Sequence, residues 1–398
     1  MGDGVGLGVE NNQTPFFKWM TMPECSLTIC RQLRCWRVSL SGLLLCLAIF
    51  GCDGGQGNGV SVAEGDISAP VAVEQVHGTL FVVSAAVNES IHLDMLVDTG
   101  SSRTYVPAEI FGNSGGDVYI SSLCLENGTC FNNFTAKSSD SAFTQNKVGY
   151  FNGIIGIDLL RNFDVTFDYR DRSIYFYDTL EEGAGSPVTI PFHYESSRPY
   201  ANVSIEGVPQ GNNLLDTGAA YTRITPSMLA LLSQDPVVLF DSVVFSLGAP
   251  ERVEYLSLRD YCTGPACPGE IIVQTGSWPA VGGTFFREYL TVFSFSENVV
   301  KLHVYDDRSH IRESGIQRMG LQVNIYDARE IIYVNPVGVA WEGGLREGDE
   351  IISVNDISID ALGYFGIYAL LEDTLIQEYQ FRVVTAENHE ADVAVAIE

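Results

Sequence analysis

The sequence predicts a mainly β chain built from two similar halves, with a smaller α+β domain at its C-terminal end. Three observations carry that expectation. A hexapeptide with Asp-Thr-Gly at its centre occurs twice, as Leu96-Val97-Asp98-Thr99-Gly100-Ser101 and Leu214-Leu215-Asp216-Thr217-Gly218-Ala219. Short segments that alternate apolar and polar residues dominate the stretch holding both copies, which is the periodicity of half-buried strands. After Asp306 the chain turns polar and charged up to about Arg318, and a segment of different texture follows.

Residues 1–52 read as a leader. Arg31, Arg34 and Arg37 precede the apolar run Val38 to Phe50, which is 13 residues long, short for a bilayer span and suited to a signal-peptide core. Met20 and Met22 are alternative starts. Ile49-Phe50-Gly51-Cys52 resembles a bacterial lipoprotein processing box, which implies lipidation of Cys52 and a membrane-anchored, exported protein of the cell envelope or periplasm. An uncleaved anchor is the alternative and faces the same compartment. Residues 53–72, which contain Gly, Asn and Ser, are expected to form a flexible tether. Of nine cysteines, four precede Cys52; the remaining two local pairs, Cys124 with Cys130 and Cys262 with Cys267, read as disulfides formed in an oxidising compartment. A zinc site is the competing reading and requires all four thiols to converge from different halves; no metal is expected.

The two halves are expected over 73–185 and 186–308. Strands are predicted at Thr79 to Val87, His92 to Val97, Asp164 to Tyr169 and Ser173 to Tyr177, with the same texture at Thr291 to Phe295 and Val299 to Val304. Glu181 to Pro187 reads as the connection. The repeat extends past the triplets: Ile155-Gly156-Ile157-Asp158 is echoed by Val281-Gly282-Gly283-Thr284, at an offset of 126 that still holds from Phe167 to Phe293. The Asp pair is offset by 118, so the halves differ by a small insertion. A repeat of this length implies two lobes related by a pseudo-two-fold axis. Gly115 to Tyr150 reads as polar and irregular, with room for a substrate-covering flap and Tyr119 as its tyrosine.

With the paired triplets and their apolar-apolar-Gly echoes, residues 75 to 305 resemble the pepsin-like and retropepsin-like aspartic proteases. The resemblance implies a bilobal acid-protease fold of the retropepsin-like double-lobe kind, in which Asp98 and Asp216 form the catalytic pair. Two carboxylates within hydrogen-bonding distance cannot both ionise cheaply, so they share one proton. The ionised member acts as general base on water while the protonated member donates to the substrate carbonyl. Thr99, Gly100 and Ser101, with Thr217, Gly218 and Ala219, are implied to shape and brace the two loops. Ser101 is expected to add a hydrogen bond to Asp98 that Ala219 cannot give Asp216, making Asp216 the more easily protonated partner. No cofactor is implied.

The segment 316–398 resembles a PDZ domain, on Met319-Gly320-Leu321-Gln322-Val323 and on Gly344-Leu345 through Gly348-Asp349 to Val354-Asn355. That resemblance implies capture of extended C-terminal peptides by strand addition, with backbone N–H groups of Met319 to Gln322 at the carboxylate. Leu321, Val323 and a helix near Ala361 to Leu371 are expected to line the apolar pocket. A small α+β domain that only packs on the rest is the alternative.

Formal charge is −28, which disfavours nucleic acid as a partner, and 11% aromatic content is incompatible with general disorder. The reading is therefore an exported, membrane-tethered endopeptidase with a single-chain, monomeric catalytic unit. Its expected partners are polypeptide substrates, C-terminal peptides and, through the lipid anchor, the membrane. The competing class is a peptide-binding adaptor on the same scaffold without hydrolysis.

Overall fold

A computed structural model of the chain describes residues 61–63, 69–112, 114–139, 151–177, 186–233, 235–246, 249–311, 315–324, 329–373 and 375–397. Cys52 and the rest of the leader lie outside these residues, as does most of the expected connection Glu181 to Pro187. The protein is mainly β, with 50% strand and 12% helix. Among the described residues no helix is long and apolar enough to cross a membrane.

Each half contains a hairpin whose second strand delivers the Asp-Thr-Gly triplet. In the first, Leu80–Val87 pairs antiparallel with Ile91–Val97; in the second, Arg198–Ile205 pairs with Val208–Leu215. The strand carrying each triplet then lies parallel to a short later strand, Gly153–Ile155 in the first half and Ala280–Val281 in the second. A third short strand, Tyr105–Pro107 or Thr222–Ile224, crosses that later strand at a single antiparallel pair, Tyr105 with Ile154 or Arg223 with Ala280. These connections are the same in both halves, so the sequence repeat is a repeat of topology.

A six-stranded sheet draws strands from both halves, in the order Val188–Pro191, Val299–Val304, Tyr289–Ser294, Asp164–Asp168, Ser173–Tyr175, Val71–Ala72. Its central pair joins the halves, with Val165 opposite Phe293 and Phe167 opposite Thr291. The Phe167 and Phe293 rings, equivalent in the repeat, meet edge to face at 5.8 Å. Alternation along these strands turns one face inward, and one continuous core runs from Val71 through Phe167, Phe285 and Phe293 to Leu302. Burying an aromatic side chain of this size contributes about 1.5–3 kcal/mol.

The expected strands form, with ends shifted by one or two residues: Leu80–Val87, Ile91–Val97, Asp164–Asp168, Ser173–Tyr175, Tyr289–Ser294 and Val299–Val304. Two expectations need correction. The tether does not extend to residue 72, because Ser61–Ala63 pairs with Cys130–Asn132 and Val71–Ala72 pairs with Ser173–Ile174. Val71 is a core residue at 1% exposure, and its burial pins the segment.

Nor is the stretch from Gly115 irregular: Asp117–Leu125 and Cys130–Ser139 form a regular hairpin closed by the Cys124–Cys130 disulfide. Residues 140–150 of the segment in which a flap was expected lie outside the described residues. Tyr119 stands 64% exposed on that hairpin, and its hydroxyl donates to Asn133 Oδ1. The longer hairpin belongs to the second half, where Val237–Ser246 pairs with Ala249–Leu258. Only Tyr255 to Leu258 also pairs inward, with Ile271–Gln274, so the rest of that hairpin projects from the sheet as a two-stranded arm.

A second, separate core runs from Ile316 to Ile397. Around it lie the strand pair Leu321–Val323 with Ile331–Val334, a four-stranded antiparallel sheet, and the helix Ile359–Glu372. Ser358 caps that helix, its hydroxyl accepting from Asp360 N. This domain touches the base of the projecting hairpin, where Asn335 Nδ2 donates to Leu239 O at 3.3 Å.

Candidate active site

The two triplets come together at the junction of the halves. Each Asp follows directly on a strand, and its amide is fixed by the neighbouring parallel strand: Asp98 N donates to Ile155 O and Asp216 N to Val281 O. The threonines then cross over. Thr99 Oγ1 donates to Leu215 O (2.8 Å) and accepts from Thr217 N (3.1 Å). Thr217 Oγ1 donates to Val97 O (2.9 Å) and accepts from Thr99 N (3.1 Å). Both threonines are buried, at 0% and 1% exposure, so these four bonds are shielded from competing water.

The glycines let the carboxylates in. A Cβ on Gly100 would lie 2.4 Å from Asp216 Cγ, and one on Gly218 would lie 2.4 Å from Asp98 Cγ. Each loop therefore closes over the other half's carboxylate, and only glycine fits. Gly100 N and Ser101 N donate to Asp98 Oδ1, at 2.7 and 3.1 Å, while Gly218 N donates to Asp216 Oδ1 at 3.0 Å. The Ser101 hydroxyl does not serve Asp98 as expected, because it donates to Arg103 O at 2.8 Å; the Ser101 amide is what reaches Asp98.

Burial and the fixed proximity of two like charges set the protonation. Asp216 is 6% exposed and is pushed well above the usual carboxylate range, first by burial and then by repulsion from Asp98. Asp98 is also raised by burial, but its hydrogen bond from Asp216 and the loop amides hold its charged form. The two carboxyls therefore share one proton and titrate as a unit.

A second ring of residues, drawn from the repeat, had no site role in the sequence reading. Thr104 Oγ1 accepts from Gly156 N at 3.2 Å and donates to Asp158 Oδ1 at 2.7 Å. In the second half, Thr222 Oγ1 accepts from Gly282 N at 3.2 Å, and Thr222 N donates to Thr284 Oγ1 at 2.9 Å. The signal was present, since a threonine follows each Asp by six positions.

Beside the dyad stands a small apolar cluster that includes Leu80, Val82, Leu96 and Ile154 of the first half. Tyr105, Phe151 and, from the loop after Asp216, Ala220 pack against it.

The other expected site residues lie elsewhere. Met319 ends a short helix, Gly320 takes a left-handed turn at φ +68°, and Leu321, Gln322 and Val323 form a strand. Gly320 N is already engaged by Gln317 O, and Met319, Leu321 and Val323 are closed into the core at 2% exposure or less. Leu321 and Val323 thus support the domain's interior instead of lining an open pocket. Cys124–Cys130 and Cys262–Cys267 are disulfide-bonded, so these four thiols are not zinc ligands. Among the described residues no group of three or more His, Cys, Asp or Glu side chains could hold a metal ion. Compared with known proteins, the chain matches no family model and no curated protein.

Proposed function

We propose that the chain is an aspartic endopeptidase with a bilobal, retropepsin-like double-lobe body. The observation that carries this reading is the reciprocal bonding of Thr99 and Thr217, which holds two buried carboxyl groups together between two symmetric loops. In the proposed reaction Asp98 takes a proton from an attacking water while Asp216 donates to the scissile carbonyl. The roles then reverse: the protonated Asp98 delivers its proton to the leaving amine, and the gem-diol returns a proton to Asp216. The amide C–N bond breaks, water supplies the oxygen of the new carboxyl, and the dyad ends as it began.

The C-terminal domain fits the PDZ reading by its strand, left-handed Gly320 and helix Ile359–Glu372, and on that reading it recruits or gates polypeptides through their C-termini. The two disulfides are compatible with the proposed export, and on the same reading the leader tethers the protein to the membrane.

Peptide-library cleavage by the purified protein, run from acid to neutral pH beside Asp98→Asn and Asp216→Asn variants, tests the reading. Cleavage by the wild type and loss of at least about a thousandfold in both variants is expected, as for other paired catalytic groups. Folded wild type that cuts nothing at any pH would overturn proteolysis in favour of a peptide-binding adaptor.

A further inference from the structure

The two-fold relation between the halves breaks at one strand. Matching pairs identify the equivalents: Ala85 with Leu125 corresponds to Val203 with Thr263, and Tyr105 with Lys137 to Arg223 with Gln274. The hairpin closed by Cys124–Cys130 therefore answers to the strands around Cys262–Cys267 in the second half. Among the described residues Val237–Ser246, the outer strand of the projecting arm, has no first-half counterpart.

That added strand is where the C-terminal domain touches the body. Val238 pairs with Leu256 and Phe240 with Tyr255, so Leu239 is the extra residue of a β-bulge, left outside the pairing. Asn335 Nδ2 donates to its carbonyl at 3.3 Å, while Asn335 Oδ1 accepts from Val337 N at 3.2 Å. The Asn335 amide donates to Gly320 O at 2.7 Å, beside the turn where the PDZ reading places a peptide carboxylate. The linker adds a second attachment. The Tyr305 hydroxyl donates to Asp168 Oδ1 at 3.0 Å, Arg308 pairs with Glu288, and His310 Nε2 lies 3.0 Å from Arg287 O. Two attachments dock the domain instead of leaving it on a loose tether.

The inner strand of the arm leads to the dyad. The Tyr255 hydroxyl accepts from Gln274 Nε2 at 2.9 Å, and its ring meets that of Tyr221 edge to face at 4.8 Å. Tyr221 ends the loop that Asp216 begins. Its first-half equivalent is Arg103, since a Cβ on Gly156 would lie 2.3 Å from Arg103 O and one on Gly282 would lie 2.3 Å from Tyr221 O. Arg103 is held by the first half itself, with Asp158 at 3.5 Å and Thr135 O at 3.2 Å. The Asp216 loop leans instead on the arm to which the C-terminal domain is bonded.

We propose that the C-terminal domain positions the Asp216 loop through the arm, with Asn335, Tyr255 and Tyr221 as positioning residues. This rests on the catalytic reading of the dyad and gives the gating role of that domain a physical route. Loss of the Asn335 bond frees the bulge, loosens Tyr255 against Tyr221 and lets the loop around Asp216 drift. Small displacements of a catalytic group cost turnover more than substrate affinity.

The test uses the full-length protein. Asn335→Asp keeps the oxygen that accepts from Val337 N and turns the donor facing Leu239 O into an acceptor. Asn388→Asp makes the same change at an exposed turn of the same domain and is the control. Asn335→Asp is expected to lose about three- to thirtyfold in kcat, with KM within about twofold, while Asn388→Asp matches wild type. Once Tyr221→Leu has removed the ring, adding Asn335→Asp should cost little more; additive losses overturn the route. Amide hydrogen exchange reads the loop without any cleavage: residues 216–222 should exchange faster in Asn335→Asp, and the hairpin strand Asp117–Leu125 should not. Faster exchange at 216–222 supports the coupling even if no peptide is cut. Unchanged exchange there, or cleavage with an unchanged kcat, overturns the proposal and leaves proteolysis standing. Asn335→Ser, which keeps an acceptor for Val337 N and adds no charge, carries both measurements should Asn335→Asp unfold the C-terminal domain.

Discussion

Replacing Thr99 by Val keeps the side-chain shape and removes one hydroxyl from the junction of the halves. That hydroxyl satisfies two buried groups, the Leu215 carbonyl at 2.8 Å and the Thr217 amide at 3.1 Å. Each is left without its partner, at about 1–3 kcal/mol per group, so the variant should lose about 2–5 kcal/mol of stability. At about 2–4 °C per kcal/mol for a domain of this size, Tm should fall by roughly 4–20 °C. Thr189→Val, on an exposed strand position opposite Lys301, changes stability by about 0.5 kcal/mol or less and is the control. Thr99→Ser keeps the hydroxyl and should recover most of the loss. Differential scanning calorimetry at pH 5 reads all three. A Thr99→Val protein that melts within about 1 kcal/mol of wild type would show that the crossed bonds do not hold the halves together.

Three further outcomes follow from the same geometry. Because Asp216 is raised above its ordinary value of 3.8, its ionised form costs stability, a penalty absent below that value and growing as pH rises through the folded-state pKa. Asp216→Asn should therefore raise Tm at pH 7 and lose the gain near pH 3.5; an equal gain at both values refutes the assignment. Gly218→Ala, which forces a Cβ to 2.4 Å from Asp98 Cγ, should abolish peptide hydrolysis, whereas Gly207→Ala, at an open turn with φ +76°, should leave hydrolysis intact and lower Tm slightly. The Cys262–Cys267 disulfide closes a five-residue separation, for which chain entropy gives about 2 kcal/mol; urea unfolding of Cys262→Ser with Cys267→Ser should show that loss, and no change in midpoint counts against it.

Much of the architecture could be read because apolar alternation and the repeat agree. Phe167 and Phe293 share both an offset and a sheet, and the paired triplets point to one another across the halves. The hairpin Asp117–Leu125 with Cys130–Ser139 escaped because Ser121, Ser122, Asn132 and Asn133 dilute an alternation that Ile120, Leu123 and Phe131 still carry inward. Ser61–Ala63 and Val71–Ala72 are two or three residues long, too short for any period, and only their partners define them. At the site, residue identity told which carboxylates would meet. It did not tell that the Ser101 hydroxyl would turn to Arg103 O, a choice made by local loop geometry.

The crossed threonines also impose an order of events. Neither half can complete its own Asp loop, since the carbonyl each threonine binds belongs to the other chain segment, more than a hundred residues away. A chain whose second half has not yet folded holds Asp98 in an unbraced turn, with no partner carboxylate and no shared proton. On the export reading, the protein passes through a membrane before this contact exists. Destructive chemistry would then switch on only as the last long-range contact closes, sparing the machinery that delivers the chain and its own unfinished copies.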